Sequence, residues 1–330
     1  MNMRQLRYFV QIVDSGSLAK ASRQLFIAQP ALSQHVAKLE EEVGTPLLQR
    51  SSRGVVPTEN GAAVYQHAKF LLRQLQETVA VAQQVPSGLG GRVTLGLPPN
   101  TVRRLGQALL ERMEEKFPAI RLNIVEAANR QLGYMTQVGQ LDLAVLFSPH
   151  AASDLQVQPL FDEELFVILP ADSALVPADR HSLTLREIAR LPLVLQSLHH
   201  PAHRRRIELE FDRAGLPLKP LAEIDSLHLL MGAVERRGAA TIQPHAAVHA
   251  FGDPAGRWRW LRIADVRVVR RNYLYALSAD KLPTAGDAVR AELQALVRRS
   301  VETASWEGIA LPAEADCEDT EDGRELALSE

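Results

Sequence analysis

The sequence predicts an α/β protein preceded by an all-α-rich N-terminal module, and three observations carry that reading. Up to about residue 85, apolar residues recur mostly at helical spacing. From Arg92 to Val301 strand-like and helix-like stretches alternate. Between the two regimes lies Pro86-Ser87-Gly88-Leu89-Gly90-Gly91, a hinge by composition.

Taken in order, Leu6, Phe9, Val10 and Val13 are spaced as the buried face of a first helix. Gly16 suits a left-handed helix end and Ser17 an N-cap for a second helix carrying Leu18, Ala21 and Leu25. Phe26-Ile27-Ala28 makes a short turn. Pro30 then falls in the first turn of a third helix, where its missing N–H costs nothing. Leu32, Val36, Leu39 and Val43 share one face of that helix, while Gln29, Ser33, Gln34, Ala37 and Lys38 form the other. Two short helices joined tightly, the second with a polar outer face, make a helix-turn-helix pattern. Amides and hydroxyls pair with base edges in a major groove, and small side chains allow close approach. Pro46 to Arg50 and Val55 to Pro57 read as strands around the turn Ser51-Ser52-Arg53-Gly54. Arg50 and Arg53 on such a wing suit phosphates or the minor groove.

Thr58 caps a fourth helix, in which Val64, Ala68, Leu71, Leu75, Thr78, Ala82 and Val85 follow steps of four and three. That seam packs either on its own domain or on a second copy. The glycines of the hinge are no phosphate loop, since no Lys-Ser/Thr follows and a strand comes next.

From Met3 to about Gln84 the chain resembles the DNA-binding module of LysR-type transcriptional regulators. Leu6-Arg7-Tyr8-Phe9, Gly16-Ser17-Leu18, Ala28-Gln29-Pro30-Ala31-Leu32-Ser33, Leu39-Glu40, Arg53-Gly54-Val55 and Pro57-Thr58 carry the likeness. Within that family the module is most similar to the nitrogen-assimilation-control branch. Two departures stand out: Ala28 replaces the usual capping hydroxyl, forgoing about 0.5–2 kcal/mol of capping, and His35 replaces the commoner Arg or Gln.

In the remainder, strands are expected at Arg92–Leu97, Arg121–Glu126, Leu143–Phe147 and Glu164–Leu169, with helices at Arg104–Lys116 and Gln131–Gly139. Short elements follow to Gln243; Val266–Arg271 and Tyr273–Ser278 read as strands and Ala285–Val301 as a last helix. The alternation implies a mostly parallel sheet with helices on both faces. More loosely than at the N-terminus, this region is similar to the family's effector-binding part. The resemblance implies two periplasmic-binding-protein-like subdomains with crossovers near Phe161–Glu164 and Asp265–Val269. The implied organisation is a winged helix-turn-helix at 1–58, a linker helix and hinge at 59–88 and an effector domain at 89–304. Subdomain I takes about 91–162 and 266–304, subdomain II about 163–265, and residues 305–330 form an acidic, disordered tail.

Ligands of open parallel sheets sit beyond the carboxyl ends of strands. Those ends place Asn100, Thr101, Asn129, Phe147, Gln196, Ser197, Thr241 and Gln243 as candidates, with Arg103 and Arg104 raising the local positive potential. Asn100 and Thr101, ahead of a helix, either hold a carboxylate, sulfonate or phosphate or serve only as caps. His199, His200 and His203 precede three arginines, but no Cys or acidic pair completes a metal site. His199 is retained as an effector candidate. His245 and His249 are four apart without an evident third ligand. No hydrolase, zincin or phosphate-loop motif appears, so catalytic, metal and cofactor residues are not expected.

Bulk properties bound the rest. Hydrophobic residues at 46% and charged residues at 23% are ordinary for a globular chain of 330 residues, long enough for two or three domains. The formal charge of −2 hides an uneven distribution: the tail from Glu307 carries about −8, leaving about +6 for the rest. One cysteine, Cys317, allows no internal disulfide and fits a reducing cytoplasm. No apolar run has membrane-spanning length, and no signal-peptide core opens the chain. The expectation is a cytoplasmic, sequence-specific regulator. Gln29, Ser33, Gln34 and Lys38 read promoter DNA; Ser17 and Ser22 are phosphate candidates, and Pro30 sits at the same surface. The resemblance adds dimerisation through the linker helices, a homotetramer, contact with RNA polymerase and a small organic or inorganic anion as effector. Alternatives are a relative acting without inducer and controlled by its amount, a solute-binding protein, or an enzyme with an ancillary helical domain.

Overall fold

A computed structural model of the chain describes residues 1–51, 54–83, 89–147, 155–197, 201–251, 256–278 and 282–313. The chain divides into two compact units, one built on Met1–Gly88 and the other on Leu89–Gln137 with Leu141–Glu330.

The first unit contains α1 (Met3–Ser15), α2 (Leu18–Leu25), α3 (Gln29–Val43), β1 (Leu48–Ser51), β2 (Gly54–Pro57) and α4 (Glu59–Gln83). Asn2 opens α1 with a capping box: its carboxamide accepts the Gln5 N–H at 3.0 Å, and Gln5 reciprocates at 2.7 Å. Gly16 closes α1 at φ 64°, and the Ser17 hydroxyl accepts the Lys20 N–H at 3.4 Å. Phe26 closes α2 at φ 56°, a left-handed conformation costing a side chain about 1–2 kcal/mol. Ala28 supplies no side-chain cap to α3.

Leu6, Phe9, Leu32, Val36 and Leu39 are buried together with Ile12, Leu18, Ala21, Leu47 and Val55. Val43 does not join them. It is exposed, because α3 runs out at Gly44 (φ 78°) beyond the edge of this core. Three hydrogen bonds tie down the wing hairpin β1–β2. The Glu40 carboxylate accepts the N–H groups of Leu47 and Leu48 at 2.8 and 3.0 Å, and the Val55 N–H donates to the Gly16 carbonyl at 2.9 Å. Thr58 caps α4, accepting the Gly61 N–H at 2.9 Å. Gly61 is a close approach: a Cβ there would lie 1.9 Å from the Leu47 carbonyl oxygen. The first half of the expected seam is spent inside this unit, since Ala68 is buried and Val64 and Leu71 pack against the same core. Leu75 and Thr78 are exposed.

The second unit begins with β3 (Gly91–Leu97). A helix follows from Pro99, earlier than the expected Arg104: α5 (Pro99–Thr101) passes through a π-helical turn, Val102–Gly106, into α6 (Gln107–Lys116). Next come β4 (Ile120–Glu126), α7 (Asn129–Gln137), β5 (Leu143–Leu146) and β6 (Leu155–Pro170). Short elements then alternate: β7 (Ser182–Leu183), α8 (Leu185–Ile188), β8 (Val194–Leu195), α9 (Pro201–Arg213), β9 (Ala222–Glu223), α10 (Leu227–Arg237) and β10 (Thr241–Pro244). A 3-10 turn, His245–Phe251, leads to β11 (Trp258–Ile263), β12 (Val269–Leu277), α11 (Thr284–Glu302) and β13 (Ile309–Ala310).

The main sheet runs β4-β3-β5-β12-β6-β11-β7, with β10 and β13 also on β6. It is mixed rather than mostly parallel. β3 is parallel to β4 and β5, whereas β12 is antiparallel to β5 and β6, and β6 is antiparallel to β10 and β11. The long strand β6 causes this. Its residues up to Glu164 pair with β12, and from Leu165 onward with β10 and β11, so one strand serves two cores. One core gathers Leu95, Val145, Leu274 and Leu293. The other side of β6 carries Val167, Leu185, Phe211 and Ile242, with Phe166, Leu230 and Val234 beneath α10. These cores define two subdomains. The two strands expected at 266–278 are the single β12, bulged between Asn272 and Tyr273.

Residues 305–313, expected within the tail, are part of the fold. Trp306 is buried against Phe161 at 5.0 Å between ring centroids, and Ile309–Ala310 pairs with Glu163 and Asp162 of β6. Burial of that indole and the added strand bind 305–313 into the fold despite their composition; residues 314–330 lie outside the described residues.

Candidate nucleic-acid interface and ligand cluster

The outer face of α3 is bare in its own unit. Gln29, Pro30, Gln34, Ala37 and Lys38 are exposed and Ser33 is half-buried, opposite the fully buried Leu32, Val36 and Leu39. The amides of Gln29 and Gln34 each offer a donor and an acceptor, the pairing set that adenine presents in the major groove. His35 is not on this face: its ring packs edge-on against Tyr8 at 5.1 Å. Ser22 is likewise committed, donating to the Ile27 carbonyl at 2.6 Å and so fixing the turn ahead of α3. Ser17 holds its place as the N-cap of α2. Arg50 lies in β1, its side chain outside what is described, and Arg53 lies outside the described residues.

In the second unit, four expected ligand residues, Asn100, Thr101, Thr241 and Gln243, and one that was not expected, His245, are buried with polar atoms lacking hydrogen-bond partners among the described residues. They come from two places, the N-terminus of α5 and the end of β10 with its 3-10 turn, which meet in space. Buried polar groups are nearly always satisfied, so several unsatisfied ones at a strand end mark a place for water or ligand. The π-helical turn lies immediately after Asn100 and Thr101. Such turns frequently occur at functional positions.

His245 escaped notice in the sequence except as half of an incomplete metal pair. Its ring lies 4.5 Å from Trp260 and 6.4 Å from Phe166, centroid to centroid. Burial, with help from the Arg104 charge, lowers its pKa to about 4 and keeps the imidazole neutral. Arg104 does not stand open as expected. It lies 2.9 Å from His249 Nε2, donates to the Ser305 carbonyl and covers the Trp306 ring at 5.6 Å; burial lowers its pKa.

Elsewhere in this unit, Arg270 pairs directly across the strands with Glu163, at 2.9 and 2.7 Å. Both side chains are buried, and the guanidinium lies 3.8 Å from the Phe147 ring centroid. Next along the ladder, Arg271 makes two bonds to Asp162 at 2.8 and 3.0 Å. No local motif announced this pairing, because the partners are far apart in sequence. Asn129 is a strut: its side-chain Oδ1 accepts the Phe147 N–H at 2.8 Å, joining two expected loops. Ser197 donates to Asp225, and the Gln196 carbonyl accepts from Arg204 at 3.0 Å. His199 lies outside the described residues.

A two-helix reading motif with a wing, followed by a two-subdomain α/β domain with unsatisfied polar groups at its strand ends, defines a class of DNA-binding regulator. Residues 3–62 match the family described as bacterial regulatory helix-turn-helix protein, lysR family, and residues 86–298 match the LysR substrate binding domain. The chain belongs to the LysR family of transcriptional regulators. It is similar to the nitrogen assimilation regulatory protein nac of Klebsiella aerogenes, 34% identical over 91% of this chain and 96% of that one. Among solved structures it is similar to a full-length OxyR variant from Pseudomonas aeruginosa, with TM-score 0.64 and 23% identity over 90% and 98% of the two chains. Full-length CbnR complexed with its target DNA gives TM-score 0.68 and 19% identity over 91% and 100%. At those identities the two structures establish the fold. The chain is a LysR-type regulator with an effector-binding domain, and its relatives are transcriptional regulators rather than enzymes. No helix among the described residues is long and apolar enough to cross a membrane.

Proposed function

We propose that this regulator reads a two-fold symmetric operator through α3 and responds to a small organic or inorganic anion held at the subdomain cluster. The observation carrying the first part is the exposed amide face of α3 opposite the fully buried Leu32, Val36 and Leu39. Gln29, Ser33, Gln34 and Lys38 contact bases, Pro30 packs at the groove edge, Arg50 and Arg53 take backbone or minor groove, and Ser17 lies by a phosphate. Two copies pair through the exposed part of α4, beginning at Leu75 and Thr78, and dimers associate into a homotetramer that contacts RNA polymerase in the cytoplasm.

For the effector, the N-terminus of the helix starting at Pro99 favours negative charge, and Thr101, Thr241, Gln243 and His245 supply donors, while the unpartnered Oδ1 of Asn100 accepts from a hydroxyl or a protonated group. Phe147, which follows β5 and is tied to Asn129, is assigned to the same effector, as are His199 and, just after β8, Gln196 and Ser197. Binding biases the arrangement of the paired subunits by its differential affinity for the two states, typically about 1–3 kcal/mol. A second reading is favoured by the engagement of Arg104 and Arg270 with protein partners: the regulator acts without an inducer and is controlled by its amount. Thermal unfolding of the full chain against a panel of carboxylates, sulfonates, sulfate and phosphate separates the two. A shift abolished by Gln243→Leu supports the anion; flat midpoints across the panel support level control.

A further inference from the structure

We propose that Phe26 is a DNA-contacting, specificity-determining residue whose ring rests on thymine methyl groups at the edge of the major groove. Phe26 is 96% exposed, while its neighbours Leu25 and Ile27 pack into the core of the unit. Its backbone is left-handed, at φ 56° and ψ 41°, a conformation that glycine or asparagine adopts at less cost. The fold gains from neither feature, since the ring covers nothing and its Cβ strains the turn.

The turn that presents the ring is rigid. The Phe26 N–H donates to the Arg23 carbonyl at 3.4 Å, the Ile27 N–H to the Ser22 carbonyl at 3.1 Å, and the Ser22 hydroxyl to the Ile27 carbonyl at 2.6 Å. With the backbone already fixed, docking costs the ring only the freedom of its two side-chain torsions. Its occupant follows from position. Phe26 lies three residues ahead of Gln29, at the end of α3 that enters the groove in a helix-turn-helix. Exposed Arg23 lies one turn back on α2, and exposed Gln29 and Pro30 follow. The surface around the ring is therefore continuous with the DNA-reading face. On a major-groove floor of donors and acceptors, the thymine C5-methyl is the apolar group available to an aromatic ring.

This inference rests on DNA reading by α3, and the test separates the two. The full-length chain selects a duplex from a randomised library; enrichment of nothing would sink the DNA reading itself. The selected duplex is then compared with copies carrying deoxyuridine in place of single thymidines, using wild type, Phe26→Asn and Phe26→Leu. Asparagine suits the left-handed position, so the thermal midpoint of Phe26→Asn is expected at or above that of wild type. Removing one methyl should weaken wild-type binding about fourfold at the contacted position, the worth of one buried carbon. Phe26→Asn should bind the thymidine duplex weaker by at least that factor and show no thymidine–deoxyuridine difference, with Phe26→Leu intermediate. The inference is overturned if Phe26→Asn binds within about twofold of wild type. Weaker binding with methyl discrimination intact also overturns it, as does a change in self-association alone.

Discussion

His245 is a titratable side chain whose pKa burial shifts strongly. Its pKa in the fold is about 4, below the roughly 6.5 of an exposed imidazole, so between those values the unfolded chain binds more protons than the folded one. The stability from keeping it neutral is fully present above about pH 6.5 and is lost as pH falls toward about 4. The groups facing it include Arg104, His249 and Glu307; the first two depress its pKa and Glu307 opposes them. Thermal midpoints measured across that window should fall more steeply for wild type than for His245→Gln. Parallel profiles would show that the imidazole is not held neutral. At the reading helix, Gln34 stands exposed, and Gln34→Ala should relax preference at its base pair by about 1–3 kcal/mol. A selection profile unchanged at every position would remove Gln34 from the set of readers.

At the scale of elements, two junctions hold the architecture. Gly61 lets the start of α4 touch the Leu47 carbonyl, and Gly61→Ala must push the wing and α4 apart, at a cost of about 1–3 kcal/mol. Denaturant midpoints and DNA affinity should fall together; a wild-type midpoint would mean that the backbone yields freely there. Between the subdomains, β6 and β12 are joined by the buried Arg270–Glu163 pair. Arg270→Met leaves a buried carboxylate alone and should cost about 3–5 kcal/mol, most of it recovered when Glu163→Leu is added. If the double variant is no more stable than the single one, the loss comes from packing over Phe147 rather than charge.

Local periodicity revealed the helices of the first unit, its caps at Ser17 and Thr58 and its wing, because each depends on neighbours within a few residues. It did not reveal β6 in full, since Gln156, Gln158 and Pro159 give its first half the look of a loop while distant β12 supplies the pairing. Ile309 and Ala310 were hidden by acidic surroundings, although Trp306 was a signal that the chain there has something to bury. That Asn100, Thr101, Thr241 and Gln243 hold a ligand is the proposal made above; their placing beside strand ends was legible from the alternation of elements. His245 was not, because a lone histidine says nothing of what packs around it.

For the whole molecule, the bare face of α3 must read DNA if the rest is to matter. On the proposed reading, an effector held at the polar cluster of α5 and β10 would act on transcription only through a change in how reading helices are presented, limited by its differential affinity for the two states. Charge is arranged to match: an acidic tail offsets a body of about +6, so overall charge conceals a chain that can approach phosphates. Selection of duplexes by the full-length chain, wild type beside Gln34→Ala, followed by titration at increasing salt, tests this most directly. The account predicts one two-fold symmetric motif for wild type, affinity falling steeply with salt, and loss of discrimination at one position per half-site in the variant. Enrichment of no motif by wild type, or an identical motif from both proteins, would contradict it.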